Sequence, residues 1–260
     1  MNRNTVPWRY RILAALSPLA LLALWAVVTM QELVTPILLP PPLAVLAALK
    51  DMVVEGYSGV DLGTHVVSSL RRVGIAFVAG AVCGTVVGLL RGRVIEIDAL
   101  FLVPSEIVRP IPPLGLIPLF ILWFGIGETS KILLMFLSIF LITMVNAQAG
   151  ARACGLDTLR AAQSMGASGW QTFRFVVFPT ALPQIMTGLR VAMGTGLTIL
   201  VAAELLGGDR GLGFLILDAS SFFRTTYVFA GIILIGLIGF VSDLVLVALR
   251  GRIIHWEGKR

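Results

Sequence analysis

The sequence predicts an all-α membrane protein with about six transmembrane helices. Of its 260 residues, 57% are hydrophobic and only 13% are charged, which is too apolar and too poor in charge for an ordinary soluble domain. Several apolar runs also reach the roughly 18–20 residues that are needed to cross a bilayer. A membrane span is either a helix or part of a closed barrel, and these runs lack the alternating pattern of barrel strands.

The spans follow from the apolar runs, since 20 helical residues at ~1.5 Å each cover about 30 Å of hydrocarbon. The predicted spans are residues 12–30, 70–90, 99–124, 132–149, 184–206 and 227–249. The first run is predicted to be an uncleaved helix, because no small-residue cleavage site precedes Glu32. Residues 43–54 form a shorter amphipathic helix in the predicted outer loop.

The third span is predicted to be irregular. It contains Pro104, Pro110, Pro112, Pro113 and Pro118. Each proline removes a backbone donor, and irregular backbone at membrane depth belongs against protein or a cavity. Glu106 and Arg109 are three residues apart and share a helical face, so they can pair. Two interpretations stay open: this segment borders a solute path that passes Glu106, Arg109 and Pro112, or the pair is structural and buried between helices.

Two further carboxylates lie inside predicted spans. Glu204 is near the outer end of the fifth span, and Asp243 is in the sixth. A carboxylate in a membrane is costly and usually faces a cavity or a partner. Glu204 is therefore a candidate for the solute path, with a structural hydrogen bond as the alternative.

The distribution of Lys and Arg predicts the orientation. Most of these residues outside the spans fall on the side that carries both termini and residues 150–184. Under the positive-inside rule, that side is cytoplasmic. Arg71 and Arg72 fall on the other side, and we expect them to extend to the outer interface from the start of the second span.

Residues 150–184, here called the 150–184 segment, are a long polar stretch between two spans. Asp157 is predicted to cap a helix over residues 158–165, and Gly166 suits the position after it, where φ is positive. Ser168 and Gln171 have the spacing of a capping box for a second short helix.

Two prolines mark the end of the 150–184 segment. We expect Pro179 to end the second short helix and Pro183 to open the fifth span. The resulting elbow would place the small Ala161 and Ala162 on a contact face. An alternative is an amphipathic hairpin on the inner leaflet, which Trp170 would also suit.

One run in this segment resembles the cytoplasmic "EAA" loop of bacterial ABC importer permeases. It reads Arg160-Ala161-Ala162, Gly166 after three residues, then Val176, Phe178 and Pro179 after nine more. Arg160 replaces the Glu of that loop, Val176 replaces Ile, and Phe178 replaces Leu. Further stretches are similar to the sulfonate, taurine and nitrate class of these permeases: residues 69–72, 109–113, 122–125, 203–204 and 211–213.

The resemblance covers residues 68–260 and implies a type I ABC importer permease-like core of five transmembrane helices. Residues 1–67 would add a first helix and an outer loop. The partners implied are a second permease copy, which would make a homodimer, or a close relative of this chain in its place, two ATP-binding subunits and an extracytoplasmic solute-binding protein. The solute would be an alkanesulfonate, taurine or nitrate, with a thiamine precursor or another small organic solute left open. The membrane would be the bacterial cytoplasmic membrane.

In that family an ATPase subunit acts on the permease through this loop. The residues expected to make the ATPase contact here are Arg160, Ala161, Ala162, Gly166, Trp170, Val176, Phe178 and Pro179. Because Arg160 reverses the usual charge, its ATPase is expected to carry a compensating acid. No GxxxxGK[ST] phosphate loop is present, so we expect no cofactor on this chain and ATP hydrolysis in the partner subunit.

Other function classes find less support. An ion-coupled carrier would explain the intramembrane carboxylates, but it would leave the 150–184 segment without a role, and no internal repeat is evident. The sequence shows no metal-ligand spacing and no nucleophile elbow. It also lacks the basic run with interleaved aromatics that is typical of nucleic-acid binding.

Two glycine patterns complete the predictions. Gly80, Gly84 and Gly88 have the small-residue spacing that allows close packing between membrane helices. Residues 207–213 resemble a phosphate cradle only superficially, because they follow a membrane helix instead of a strand. We expect a flexible outer turn there.

Overall fold

The computed structural model describes residues 7–205 and 208–256. Apart from one isolated bridge between Tyr57 and Val60, the regular structure in these ranges is helical. The helices are α1 Trp8–Met30, α2 Pro42–Val54, α3 Leu62–Arg93, α4 Ile95–Val108, α5 Ile117–Phe124, α6 Glu128–Arg152, α7 Leu156–Ser164, α8 Gly169–Thr172, α9 Phe178–Leu205, α10 Leu212–Ser221 and α11 Thr225–Ile253. Arg3, Gly207, Lys259 and Arg260, which entered the sequence predictions, lie outside the described residues.

The membrane spans agree with the prediction of about six. Five helices in the described residues are long and apolar enough to cross: α1, α3, α6, the stretch Gly169–Glu204 and α11. A sixth span is formed if α4 and Pro113–Phe124 are counted as one helix, which is bent by 88°. The bend lies among the prolines of the third predicted span, so its irregularity is confirmed.

The chain divides into two compact units. One comprises Met1–Thr64 and Leu215–Leu234, and the other His65–Phe214 and Ile235–Arg260. Residues 215–234 thus group with the N-terminal part, and the division at residue 67 stays a prediction. An apolar cluster explains the grouping; its buried members are Val45, Met52, Tyr57, Leu215, Ala219 and Ala230.

Polar contacts support the first unit. The Trp25 indole stacks on Phe229 at 5.9 Å and donates to the Pro40 carbonyl at 3.0 Å. The Tyr57 hydroxyl donates to Asp218 at 2.8 Å. Burial, together with this bond, raises the pKa of Tyr57 well above its usual range, so the phenol stays protonated.

In the second unit, α3 packs against α6 along a stripe of glycines. A Cβ on Gly84 would lie 2.7 Å from the Phe140 carbonyl oxygen, and one on Gly88 would overlap the Met144 carbonyl oxygen. Gly80 faces Ile139 in the same way. The packing role predicted for these glycines is confirmed, and their small size lets the two backbones meet.

Helices α6 and α9 also pack closely. Gly150 of α6 faces Ala181, and Gly188 of α9 faces Asn146. The buried core of this unit draws on α3, α6, α9 and the start of α5; its members are Val73, Ala76, Ile117, Leu134, Met135, Ile139, Ala192, Leu197, Ile199 and Leu200. α6 and α9 are therefore tied to each other through both backbone and side chains.

The expectation that Pro179 ends a short helix is wrong. Phe173–Val177 form a π turn, and the helix continues from Gly169 to Glu204 as one span with Pro183 inside it. A π turn shifts the hydrogen-bond register by one residue. Pro179 lies directly after this shift, and the helix passes through it unbroken.

Candidate functional site

Helix α7 ends at a glycine elbow. Gly166 has φ of +82°, its N–H donates to the Gln163 carbonyl at 2.9 Å, and the Ala167 N–H donates to the Ala162 carbonyl at 3.1 Å. These two bonds form a Schellman motif, in which the left-handed residue is normally glycine. The predicted conformation of Gly166 is confirmed.

The start of α7 differs from the prediction. Gly155 is the N-cap, and Asp157 lies in the first turn instead of capping it. A carboxylate in the first turn still interacts favourably with the helix dipole. The helix therefore begins earlier than predicted without losing the benefit of the acid.

The second short helix begins with the predicted capping box. The Ser168 N–H donates to Gln171 Oε1 at 2.8 Å, and the Gln171 N–H donates to Ser168 Oγ at 3.3 Å. Trp170 then stacks on Phe173 at 5.7 Å. Since α8 runs through the π turn into α9, this part of the 150–184 segment is continuous with a membrane span.

The exposed surface of the segment is apolar with flanking charge. Its most exposed large apolar side chains are Leu156, Met165, Trp170 and Phe175, with exposures of 67–82%. Arg160 is also exposed and lies 3.9 Å from Asp157. Such a surface, next to a spanning helix, is suited to contact with another protein.

The expected contact residues divide between the surface and the interior. Ala161 is exposed, whereas Ala162 is only 4% exposed. Placing both alanines on the contact face was wrong for Ala162, because consecutive helical residues point in different directions. Phe178 is exposed, while Val176 and Pro179 are half-buried.

Beneath this surface, the segment packs on the ends of α3, α6 and α9. The buried apolar cluster there comprises Leu89, Ala147, Ala151, Cys154, Val177, Ala181 and Ile185. Arg93 of α3 donates to the Ala151 carbonyl at 2.6 Å. The segment is therefore packed onto the ends of these helices.

Asp98 ties the start of α4 to the same region. It accepts from Arg91 at 3.2 Å, from Gln148 at 2.7 Å and from Arg152 at 2.5 Å. Sequence reasoning used these arginines only for orientation. Asp98 is 7 residues from Arg91 and 54 residues from Arg152 along the chain, and no local pattern shows that the three side chains meet.

A cleft of about 340 Å³ lies between the bend after α4 and the middle of α6 and α9. Its lining residues are Val108, Arg109, Ile111, Pro113, Leu116, Leu137, Ser138, Leu141, Ile142, Val145, Asn146 and Thr195. The polar groups are a guanidinium, an amide and two hydroxyls, set in apolar walls. No carboxylate is among these lining residues.

Arg109 and Glu106 pair as predicted, with Arg109 Nη1 3.0 Å from Glu106 Oε1. Their side chains are 49% and 59% exposed, so within the described chain the pair is not buried between helices. Pro112 is exposed and precedes the short 3-10 helix Pro113–Leu116. Of the predicted path residues, Arg109 lines the cleft, while Glu106 and Pro112 lie beside it.

Glu204 lies elsewhere, fully buried. Its carboxylate accepts from Ser69 Oγ at 2.8 Å, from Arg72 Nη1 at 2.6 Å and from the Gly213 N–H at 2.8 Å. The surroundings match the structural alternative for this residue. A role of Glu204 in the solute path stays a prediction.

Arg72 bridges two carboxylates. Besides Glu204, it holds Glu128 through two bonds of 2.6 and 2.7 Å, and it is only 4% exposed. The expectation that Arg72 extends to the interface is wrong, because the guanidinium is itself buried between the fully buried Glu204 and Glu128, whose side chain is 46% exposed. Arg71 is exposed. Ser69 and Arg72 share a helical face, which is the sequence signal that could have revealed the cluster.

The turn before α10 is anchored by this cluster. Gly211 has φ of +127° and lies against the Glu204 carboxylate, and the Leu212 N–H donates to Ser69 Oγ at 2.9 Å. Leu212 is fully buried. In its described part, the turn that was expected to be flexible is held by hydrogen bonds.

Asp243 of α11 pairs with Arg190 of α9 through bonds of 2.6 and 2.8 Å. The Arg190 guanidinium thus balances the charge of the Asp243 carboxylate within the span, so a bound ion is not needed to balance it. Among the residues that the structure describes, no group of three or more His, Cys, Asp or Glu could hold a metal ion.

Comparison with known proteins identifies the class. Residues 76–255 match the family described as binding-protein-dependent transport system inner membrane component. The taurine transport system permease protein TauC of Escherichia coli (strain K12) is 40% identical over 100% of this chain and 96% of its own. The putative aliphatic sulfonates transport permease protein SsuC of Bacillus subtilis (strain 168) is 34% identical over 93% and 86%. The nitrate import permease protein NrtB of Synechocystis sp. is 30% identical over 85% and 82%.

A solved structure supports the same fold. The crystal structure of an amino acid ABC transporter with histidines aligns with a TM-score of 0.55 at 18% identity, over 81% of this chain and 96% of that one. The chain belongs to the binding-protein-dependent transport system inner membrane component family. It is a multi-pass membrane protein and the permease component of an ABC importer.

Proposed function

We propose that this permease carries taurine or another short sulfonate, delivered by an extracytoplasmic binding protein. Two relatives carry those solutes in their names, at 40% and 34% identity. The cleft supports the choice, since it offers the Arg109 guanidinium and the Asn146 amide as donors between apolar walls, whereas the Thr195 hydroxyl already donates to the Val191 carbonyl. Donors suit the anionic end, and the walls suit a short alkyl chain. Nitrate, the solute in a third relative's name, would use the donors but not the walls.

The ATPase subunits would bind the exposed face of the 150–184 segment. Trp170 on that face and Thr195 in the cleft belong to one continuous helix, Gly169–Glu204. A push on the first residue would therefore reach the second through one helix, which contains the π turn and Pro183 but no break. This continuity is the observation that carries the proposal of ATP-driven transport through the cleft.

The remaining partners follow from the family. We propose that two copies of the chain form the path and that each binds one ATPase, with ATP hydrolysed there and no cofactor on this chain. Both termini and the 150–184 segment would face the cytoplasm. Arg160 would then meet an acidic residue of the ATPase, because it is exposed and its only close described acid, Asp157, is 3.9 Å away.

Gly166→Asp tests the ATPase contact. The φ of +82° strains any residue with a Cβ, although no atom lies within 4 Å of that position. We expect the variant to insert but to lose uptake and to retain less ATPase on purification in mild detergent. Gly169→Ala is the matched control, since that glycine also has open space around it but no positive φ.

If Gly166→Asp takes up solute at the wild-type rate, the proposed contact between the ATPase and the 150–184 segment is contradicted. An ion-coupled carrier would instead show uptake that survives ATP depletion and collapses with a proton or sodium uncoupler. Purification of the wild-type chain with every co-eluting subunit identified separates these two classes directly.

A further inference from the structure

Three arginines within the predicted spans differ in how firmly they are held. Arg72 is buried and forms bonds to two carboxylates, and Arg190 makes two bonds to a single one. Arg109 makes a single bond of 3.0 Å to Glu106, and both side chains are about half exposed. Exposed pairs contribute little, which distinguishes this pair from Arg72. Arg190 and Asp243 are also 38% and 44% exposed, and their two parallel bonds are stronger than the single bond of Arg109. The Arg109–Glu106 pair is therefore the one of these three that a ligand can open at low cost.

The Arg109–Glu106 pair lies where a bound solute could contact both side chains. Arg109 follows the last residue of α4, at the bend, and its side chain lines the cleft. Glu106 is one helical turn earlier on the same face. A solute in the cleft would meet the guanidinium first and the carboxylate beside it.

Charge balance then selects the solute. The side chains of Arg109 and Glu106 are about half exposed, so two unit charges about 4 Å apart there interact by roughly 1–4 kcal/mol, with attraction between the carboxylate and an ammonium and repulsion between the carboxylate and a plain anion. A monoanion that takes Arg109 leaves Glu106 without a partner. A zwitterion supplies an anion for Arg109 and a cation for Glu106, so neither charge is left alone.

We propose that the Arg109–Glu106 pair opens to bind a short zwitterion, with the sulfonate on Arg109 and the ammonium on Glu106. Glu106 is then the residue that distinguishes an aminosulfonate from a plain alkanesulfonate. The alkyl linker would lie against apolar lining residues such as Val108 and Ile111. This inference rests on the proposed function, and it adds selectivity inside the permease to whatever the binding protein selects.

The test uses the purified importer complex in nanodiscs without its binding protein. The probes are taurine and ethanesulfonate, which share the sulfonate and a two-carbon chain and differ in the ammonium. We expect the wild type to bind taurine at least about tenfold more tightly, which corresponds to about 1.4 kcal/mol. Glu106→Gln should remove most of that preference by weakening taurine alone, and Arg109→Gln should weaken both ligands.

Glu96→Gln is the matched control, since Glu96 is an exposed acid on α4 that does not line the cleft. This variant should keep the wild-type preference for taurine over ethanesulfonate. A Glu106→Gln variant with the wild-type preference would overturn the inference, as would a wild type that binds neither ligand or both equally. Uptake in proteoliposomes with the binding protein separates the two levels. If uptake depends on ATP but Glu106→Gln keeps the wild-type preference for taurine over ethanesulfonate, only this inference is overturned. If uptake does not depend on ATP, the proposed function is overturned.

Discussion

Gly84, Gly88 and Gly92 lie on the face of α3 that crosses α6. At each of them, an added methyl group would meet backbone or a short side chain of α6, which cannot rotate away. Gly74 is on the same helix, but no atom lies within 4 Å of its Cβ position. Glycine is thus required where α3 crosses α6, but at position 74 of the same helix a larger residue has room.

We expect Gly88→Ala to lower the free energy of unfolding by about 1–3 kcal/mol, because overpacking forces the backbones apart. Gly74→Ala should have no cost, and it should gain about 0.5–1 kcal/mol from the better helix propensity of alanine. Thermal unfolding in mild detergent measures both. Equal stability of the two variants would contradict the tight crossing of α3 and α6.

The sequence predicted the packing role of Gly84 and Gly88 because their spacing is local; Gly92, which packs in the same way, was not among the predicted positions. Sequence reasoning found Gly166 and the Ser168 capping box for the same reason. It failed for Arg72, whose partners Glu128 and Glu204 lie 56 and 132 residues away. A charge count cannot show that three distant side chains meet, so the arginine was assigned to the interface.

At the scale of elements, that cluster joins four parts of the second unit. Arg72 belongs to α3, Glu128 opens α6, Glu204 ends the long α9, and the Gly213 N–H adds the turn into α10. Buried charges that are fully bonded make a region rigid, while a half-bonded cluster is costly. The cluster therefore fixes the ends of these helices relative to one another.

Glu204→Gln should test this rigidity. The change leaves a buried guanidinium with one carboxylate fewer, and we expect a loss of about 3–5 kcal/mol in the free energy of unfolding. Glu106→Gln removes an acid from an exposed pair, so its cost should stay below about 1 kcal/mol. Unfolding of both variants in the same detergent compares them directly, and a Glu204→Gln variant as stable as Glu106→Gln would show that the cluster does not fix the helix ends.

The helices themselves were largely predictable, because a span needs only a long apolar run. The bend after α4 was also predictable, since several prolines occur there. Pro179 was interpreted incorrectly, because the rule that proline ends a helix assumes the regular α register, and a π turn precedes this proline. Packing of Val177 into the buried cluster is a tertiary effect that the local pattern does not contain.

At the scale of the whole molecule, the orientation in the membrane remains a prediction from Lys and Arg. Single cysteines in a chain with Cys83→Ser and Cys154→Ala can test it. Glu55→Cys and Arg160→Cys both place the thiol at exposed positions outside the apolar spans. An impermeant thiol reagent should label position 55 in intact cells and position 160 only in inside-out vesicles, and the reverse pattern would invert the proposed topology.

The division into two units was not predictable from the chain order. Residues 215–234 join the N-terminal part through contacts such as Tyr57 with Asp218, which are 161 residues apart. The family resemblance, by contrast, was visible in the sequence, because the loop around Gly166 keeps its spacing. What the sequence lacked was the depth of each side chain, which decides that Arg109 lines a cleft and Glu204 does not.

The unbroken helix Gly169–Glu204 has a thermodynamic consequence. Coupling between two binding sites is reciprocal: if one ligand changes the affinity for another, the second changes the affinity for the first by the same factor. If an ATPase binds the segment as proposed, Trp170 and Thr195 lie on the same helix, so nucleotide-driven movement of that ATPase cannot alter the cleft unless an occupied cleft alters the ATPase's affinity for nucleotide. Bound solute would then change the affinity for ATP, and bound ATP would change the affinity for the solute, before ATP is hydrolysed or the solute is transported.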